Sequence, residues 1–74
     1  MTDRITAIQF RQLVADLVDD GTLTQQQGNA IRLRAGDTSW DDIATILGCS
    51  VRTARTHVDR ASRKLLDAMT AFDA

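Results

Sequence analysis

The sequence predicts an all-α domain of four helices, the last much longer than the rest, and three observations carry that prediction. Apolar residues recur three and four positions apart, and no stretch alternates apolar and polar as a half-buried strand would. Residues suited to capping helices, Thr24, Ser39 and Ser50, stand just ahead of three of the periodic segments. Gly21, Gly36 and Gly48 fall at segment ends, and the chain contains no proline. A hydrophobic share of 43 % with 26 % charged residues excludes intrinsic disorder, and 74 residues make one small domain without repeat or linker. A core this small is near the lower limit of independent stability, which brings a second subunit into consideration.

From about Thr6 to Asp19, the residues Phe10, Leu13, Val14, Leu17 and Val18 form one apolar stripe on a helix, which Asp20-Gly21 stops. Leu23-Thr24 opens the second helix. Thr24 is its cap, Gln27 completes a capping box three residues on, and Ala30, Ile31 and Leu33 supply apolar contacts before Gly36. Gly28 inside this helix costs about 1 kcal/mol relative to alanine, so a close packing contact is expected there. Ser39 caps the third helix, Asp41 and Asp42 favour the positive end of its dipole, and Ile43, Ala44, Ile46 and Leu47 face inward. Gly48 ends it and permits the left-handed corner that a sharp turn needs. Ser50 then caps a fourth helix, uninterrupted to at least Met69.

At 100° per residue this fourth helix has two faces. Ala54, Val58, Ala61, Leu65, Ala68 and Phe72 fall on one, and Arg52, Arg55, Thr56, Asp59, Arg60 and Arg63 on the other, with Val51 at the edge. The formal net charge is only -1, yet residues 1–48 hold four basic and seven acidic side chains while residues 49–74 hold five basic and three acidic. Positive charge is therefore gathered on one helix. A local basic stripe of this kind is what phosphate contact requires, since screening limits repulsion from acids more than about 10 Å away. Arginine in a major groove pairs bidentately with guanine, and threonine touches bases or thymine methyls. Ala44, Gly48 and Ser50 put a small residue where two helices meet, a glycine at the turn and a cap on the helix that follows.

The stretch LTQQQGNAIRLRAGDTSWDDIATILGCSVRTARTHVDRASRKLLDAM, about residues 23–69, resembles region 4 of bacterial sigma factors, a promoter-reading helix-turn-helix, and less closely the DNA-binding domain of LuxR-type regulators. The resemblance is carried by Leu23-Thr24, Ser39-Trp40-Asp41-Asp42-Ile43-Ala44, Leu47-Gly48, Ser50, Arg55, Arg60-Ala61 and Lys64-Leu65, in order and at matching spacings. It implies base contacts from Val51, Arg52, Arg55 and Thr56 at the start of a long recognition helix, and phosphate contacts from Ser39, Trp40 and Thr53. It also implies a grip on RNA polymerase. The family's branched apolar residue is replaced here by Ala54, so a thinner contact between the two helices is expected. Nothing in the sequence corresponds to the promoter-melting part of a sigma factor or to a sensory domain.

Other chemistry-bearing residues read as structural. His57 lies toward the apolar side of the fourth helix with no second His or Cys at metal-ligand spacing, and Cys49 reads as a small buried residue at the corner. Asp41 and Asp42 have no nucleophile or base beside them, so capping explains them and no enzyme is expected. No cofactor or metal is expected either. A single cysteine excludes an internal disulfide, no apolar run approaches the ~20 residues of a membrane span, and MTDRITAIQF lacks the features of a secretory signal. The expected location is cytoplasmic, with the nucleoid.

The expected function is sequence-specific binding of double-stranded DNA by a transcriptional regulator, with Ser50, Arg60, Arg63 and Lys64 added to the phosphate contacts. Leu66 and Met69 widen the apolar surface toward the end of the last helix and, with Phe72 and with Leu65, which with Val58 and Ala61 also suits the domain's own core, are the expected contact for a homodimer or a partner. Small size leads to the further expectation of a gene carried by a phage or mobile element. The rival expectation is an adaptor or antiactivator that holds RNA polymerase or another regulator through the same apolar end.

Overall fold

The computed structural model describes residues 7–73, with side chains described over 8–70. It contains α1 (Ala7–Asp19), α2 (Gln25–Ala35), α3 (Trp40–Leu47) and α4 (Val51–Asp73), and no strand among the described residues. The fold is the all-α, four-helix domain that the sequence predicts, and only Thr6, the expected start of α1, lies outside the described residues.

The local signals act as their chemistry requires. Thr24 Oγ1 accepts from the Gln27 backbone N–H at 3.1 Å while Gln27 Oε1 accepts from the Thr24 N–H at 3.2 Å, a reciprocal capping box. Ser39 Oγ accepts from the Asp42 N–H at 3.2 Å and caps α3. After α1, Gly21 takes φ 87°, and the Leu23 N–H reaches back to the Leu17 carbonyl at 2.9 Å. Thr22 hydrogen-bonds the exposed Asp20 carboxylate, through its side chain and its backbone N–H, and holds that carboxyl below the usual range.

α2 ends before Gly36, as the sequence places it, but the left-handed residue is the one after. Gly36 stays at φ -88°, and Asp37 takes the left-handed conformation at φ 65°. Thr38 N–H donates to the Leu33 carbonyl and Asp37 N–H to the Arg34 carbonyl, the bond pair that closes a helix through a left-handed residue. Aspartate tolerates that conformation better than most side chains, which is how the turn falls one residue later.

Two apolar clusters hold the helices together. Val14, Leu17, Leu23, Ile31, Ala61 and Leu65 join α1, α2 and the middle of α4, flanked by Phe10, Leu13, Val18, Val58 and Ala68. Ile43, Ala44 and Ala54 join α3 to the start of α4, flanked by Leu33, Trp40, Leu47, Cys49 and Val51. Each large side chain buried in this way contributes about 1.5–3 kcal/mol. Gly28 explains how α1 and α2 approach: a Cβ built there would lie 2.6 Å from Val18 Cγ2. Lys64 Nζ donates to Gln27 Oε1 at 3.0 Å and fastens the middle of α4 to the start of α2.

Candidate nucleic-acid interface

The corner between α3 and α4 sets the geometry of the site. Gly48 takes φ 72° and ψ 36°, its N–H donates to the Thr45 carbonyl, and the Cys49 N–H donates to the Ala44 carbonyl at 2.9 Å. A side chain at residue 48 would be strained in that conformation, so glycine fixes the angle at which α4 departs. Ser50 Oγ accepts from the Thr53 N–H at 3.1 Å and donates to Thr53 Oγ1 at 3.0 Å, which caps α4 and ties both hydroxyls to its first turn. Ala54 is fully buried against Ile43 and Ala44. The small residue at this position is therefore wholly used in joining α4 to α3.

From this corner α4 runs 23 residues, with Ala54, Ala61 and Leu65 buried and Arg52, Thr53, Arg55, Thr56, Asp59, Arg60 and Arg63 exposed on the other side. Val51 is half-buried at the edge. Thr56 Oγ1 donates to the Arg52 carbonyl at 3.1 Å, which ties down the hydroxyl proton within the helix. Arg63 pairs with Asp59 at 3.5 Å, both side chains largely exposed, a pair that contributes little to stability. Ser39 is exposed and Trp40 half-buried at the start of α3.

Ile46, expected to face inward, is 62 % exposed on α3, and two residues of α4 stand elsewhere than their expected contacts. Lys64, expected on phosphate, is only partly exposed and directs its ammonium to Gln27. Leu65, expected at a subunit or partner contact, is 6 % exposed inside the larger cluster and has no free surface to offer. The Phe72 side chain lies outside the described residues. Leu66 and Met69 do face outward, 62 % and 38 % exposed. His57 is half-buried with its Nδ1 shut away from solvent and, among the described residues, without a hydrogen-bond partner.

One residue was missed by sequence reasoning. Arg34, at the end of α2, lies with its guanidinium 4.6 Å from the centre of the Trp40 ring, and Arg55 lies 5.1 Å from the same centre. The only available signal was an arginine six residues ahead of an aromatic across a loop, which does not specify contact. Among the described residues no group of three or more His, Cys, Asp or Glu side chains converges on a metal-sized site, and no helix is long and apolar enough to cross a membrane.

A short helix, a left-handed glycine corner and a long helix with an exposed arginine-bearing start together define a helix-turn-helix DNA-binding domain. The family model for sigma-70, region 4 matches residues 21–65, more than half of the chain, and the chain belongs to that family. Its role is accordingly one of DNA binding in transcription. Comparison with curated proteins and with solved structures finds no match.

Proposed function

We propose that the domain is a sequence-specific regulator of transcription that lays the first turns of α4 in the major groove of double-stranded DNA. The observation that supports this best is the division of α4. Its apolar stripe is used in the domain's own core, while Arg52, Arg55, Thr56 and Arg60 stand exposed beside the fixed corner. Arg52 and Arg55 read base edges with Val51 and Thr56 beside them. Arg60, Arg63, Thr53 and the helix starts at Ser39, Trp40 and Ser50 hold phosphates. The role is binding without catalysis, cofactor or metal, and two copies related by a two-fold axis present two such helices to successive grooves.

A second reading has its own support. Leu66 and Met69 are exposed on α4, and Ile46, 62 % exposed, borders a groove of about 370 Å³ between α2 and α3 that Leu33 and Leu47 line together with Gln26, Asn29 and Arg32. Apolar surface of that kind fits an adaptor that holds RNA polymerase or another regulator. Selection of bound fragments from a random duplex pool, followed by anisotropy across a salt series, separates the two. The regulator enriches one motif, binds it less tightly as salt rises, and loses it in Arg52→Ala/Arg55→Ala. No enrichment, with binding untouched by that double substitution, rejects the regulator in favour of the adaptor.

A further inference from the structure

Two guanidiniums from different helices share one aromatic ring. Since Arg34 and Arg55 lie 4.6 Å and 5.1 Å from the centre of Trp40, their charges are no farther apart than those distances together, about one screening length (~10 Å) in 0.1 M salt. Like charges so placed repel, and among the described residues neither arginine is within ion-pair distance of a carboxylate. The negative face of the indole is what offsets that repulsion.

The ring is itself well anchored. Trp40 is the first residue of α3, behind the Ser39 cap, and packs half-buried against the cluster of Ile43, Ala44 and Ala54 that holds the corner. Arg34 has a second tether, its Nη1 donating to the Thr38 carbonyl at 3.1 Å. The Arg55 guanidinium makes no hydrogen bond within the protein among the described residues, so the ring is that side chain's one hold. Stacking occupies the flat face of a guanidinium and leaves its in-plane N–H donors free, and those donors are the groups that pair with guanine or phosphate.

We infer that Trp40 is a positioning residue for DNA recognition. It orders Arg55 before DNA arrives and keeps Arg34 beside it, so that a pre-set pair of guanidiniums meets one stretch of duplex. Ordering a flexible arginine on binding weakens affinity, and a ring that orders it beforehand removes part of that loss. This role rests on the major-groove reading of α4 and gives Trp40, placed above beside the phosphates, a part that needs no contact with a base.

Trp40 is the one tryptophan and there is no tyrosine, so intrinsic fluorescence reads this site alone. The test uses the full chain as wild type, Trp40→Leu, Trp40→Phe, Arg55→Ala and Trp40→Leu/Arg55→Ala, with anisotropy on the selected duplex and on a scrambled one, and thermal melts alongside. Trp40→Leu is expected to weaken binding to the selected duplex by about two- to five-fold, the size of an exposed cation–π contact, and to change scrambled binding much less. Trp40→Phe, which keeps a ring face, recovers most of the loss. In the Arg55→Ala background the effect of Trp40→Leu largely disappears, and Arg55→Ala shifts the Trp40 emission of the free protein. Additive losses, or a loss equal on both duplexes that tracks a lowered melting temperature, overturn the inference. Should Trp40→Leu fail to fold, emission unchanged by Arg55→Ala overturns it as well. A wild-type protein that enriches no sequence removes the major-groove reading and this role with it, whereas enrichment with an additive cycle removes this role alone.

Discussion

Arg55 carries five N–H donors, and among the described residues none of them is bonded within the protein. Replacing it with alanine is expected to weaken binding to the selected duplex by about 1–3 kcal/mol and to relax preference at one base pair, read by repeating the selection with the variant. Equal losses on selected and scrambled duplex would remove Arg55 from base reading. Lys64 leads to the opposite expectation. Its ammonium donates to Gln27, whose backbone N–H and side chain both serve the start of α2, so Lys64→Met acts on stability. The expected loss is about 0.5–1.5 kcal/mol in urea unfolding, with the salt dependence of DNA binding unchanged. A shallower salt slope at unchanged stability would return Lys64 to the phosphate contacts. Residue type and periodicity made Arg52, Arg55, Arg60 and Arg63 legible as an exposed face. Lys64 and Arg34 were not legible, because their partners lie on another helix or across a loop.

Helix starts are written in the sequence, since a cap and its target lie within three residues: Thr24, Ser39 and Ser50 all accept from the backbone as their spacing requires. Contacts between helices are written less openly. Gly28 signals a close approach, but only the structure supplies its neighbour, Val18, on α1. Alanine at Gly28 adds helix propensity worth about 1 kcal/mol, yet its Cβ would lie 2.6 Å from Val18 Cγ2, a branched side chain packed against the core. Overpacking of that kind costs about 1–3 kcal/mol, so Gly28→Ala is expected to lower stability in urea unfolding, and a gain of the full helix-propensity value would show that Val18 moves aside freely. The turn after α2 gives the reverse case. Asp37 sits at φ 65° where glycine is the usual occupant, so Asp37→Gly is expected to raise stability by about 0.5–1 kcal/mol. A lower melting temperature for Asp37→Gly would mean that the carboxylate makes a contribution greater than its backbone strain.

The molecule as a whole is longer than its size requires. Its radius of gyration is 12.4 Å and its longest extent 36 Å, against about 11 Å for the radius of a compact chain of this length. The long axis is comparable to α4 itself, since 23 residues of helix run roughly 35 Å at about 1.5 Å each. Toward the end of α4, Ala68 still packs on the core while Leu66 and Met69 turn away from it. In so small a domain, apolar side chains left on a projecting helix have a use if a second copy covers them, and the two-fold axis of such a dimer aligns two basic helix faces on one duplex. Sedimentation equilibrium across a concentration series is expected to show a monomer–dimer equilibrium, and Leu66→Asp/Met69→Asp to abolish it without unfolding the chain. The selected DNA motif should then be a palindrome whose half-sites lie about 34–36 Å apart, or a multiple of that, and the double variant should keep only the weak binding of a single half-site. A wild-type chain that stays monomeric at every concentration, and enriches a single unrepeated motif, would remove the dimer. The surface of Leu66 and Met69 would then belong to a partner of other sequence, and RNA polymerase would be the first to test against it.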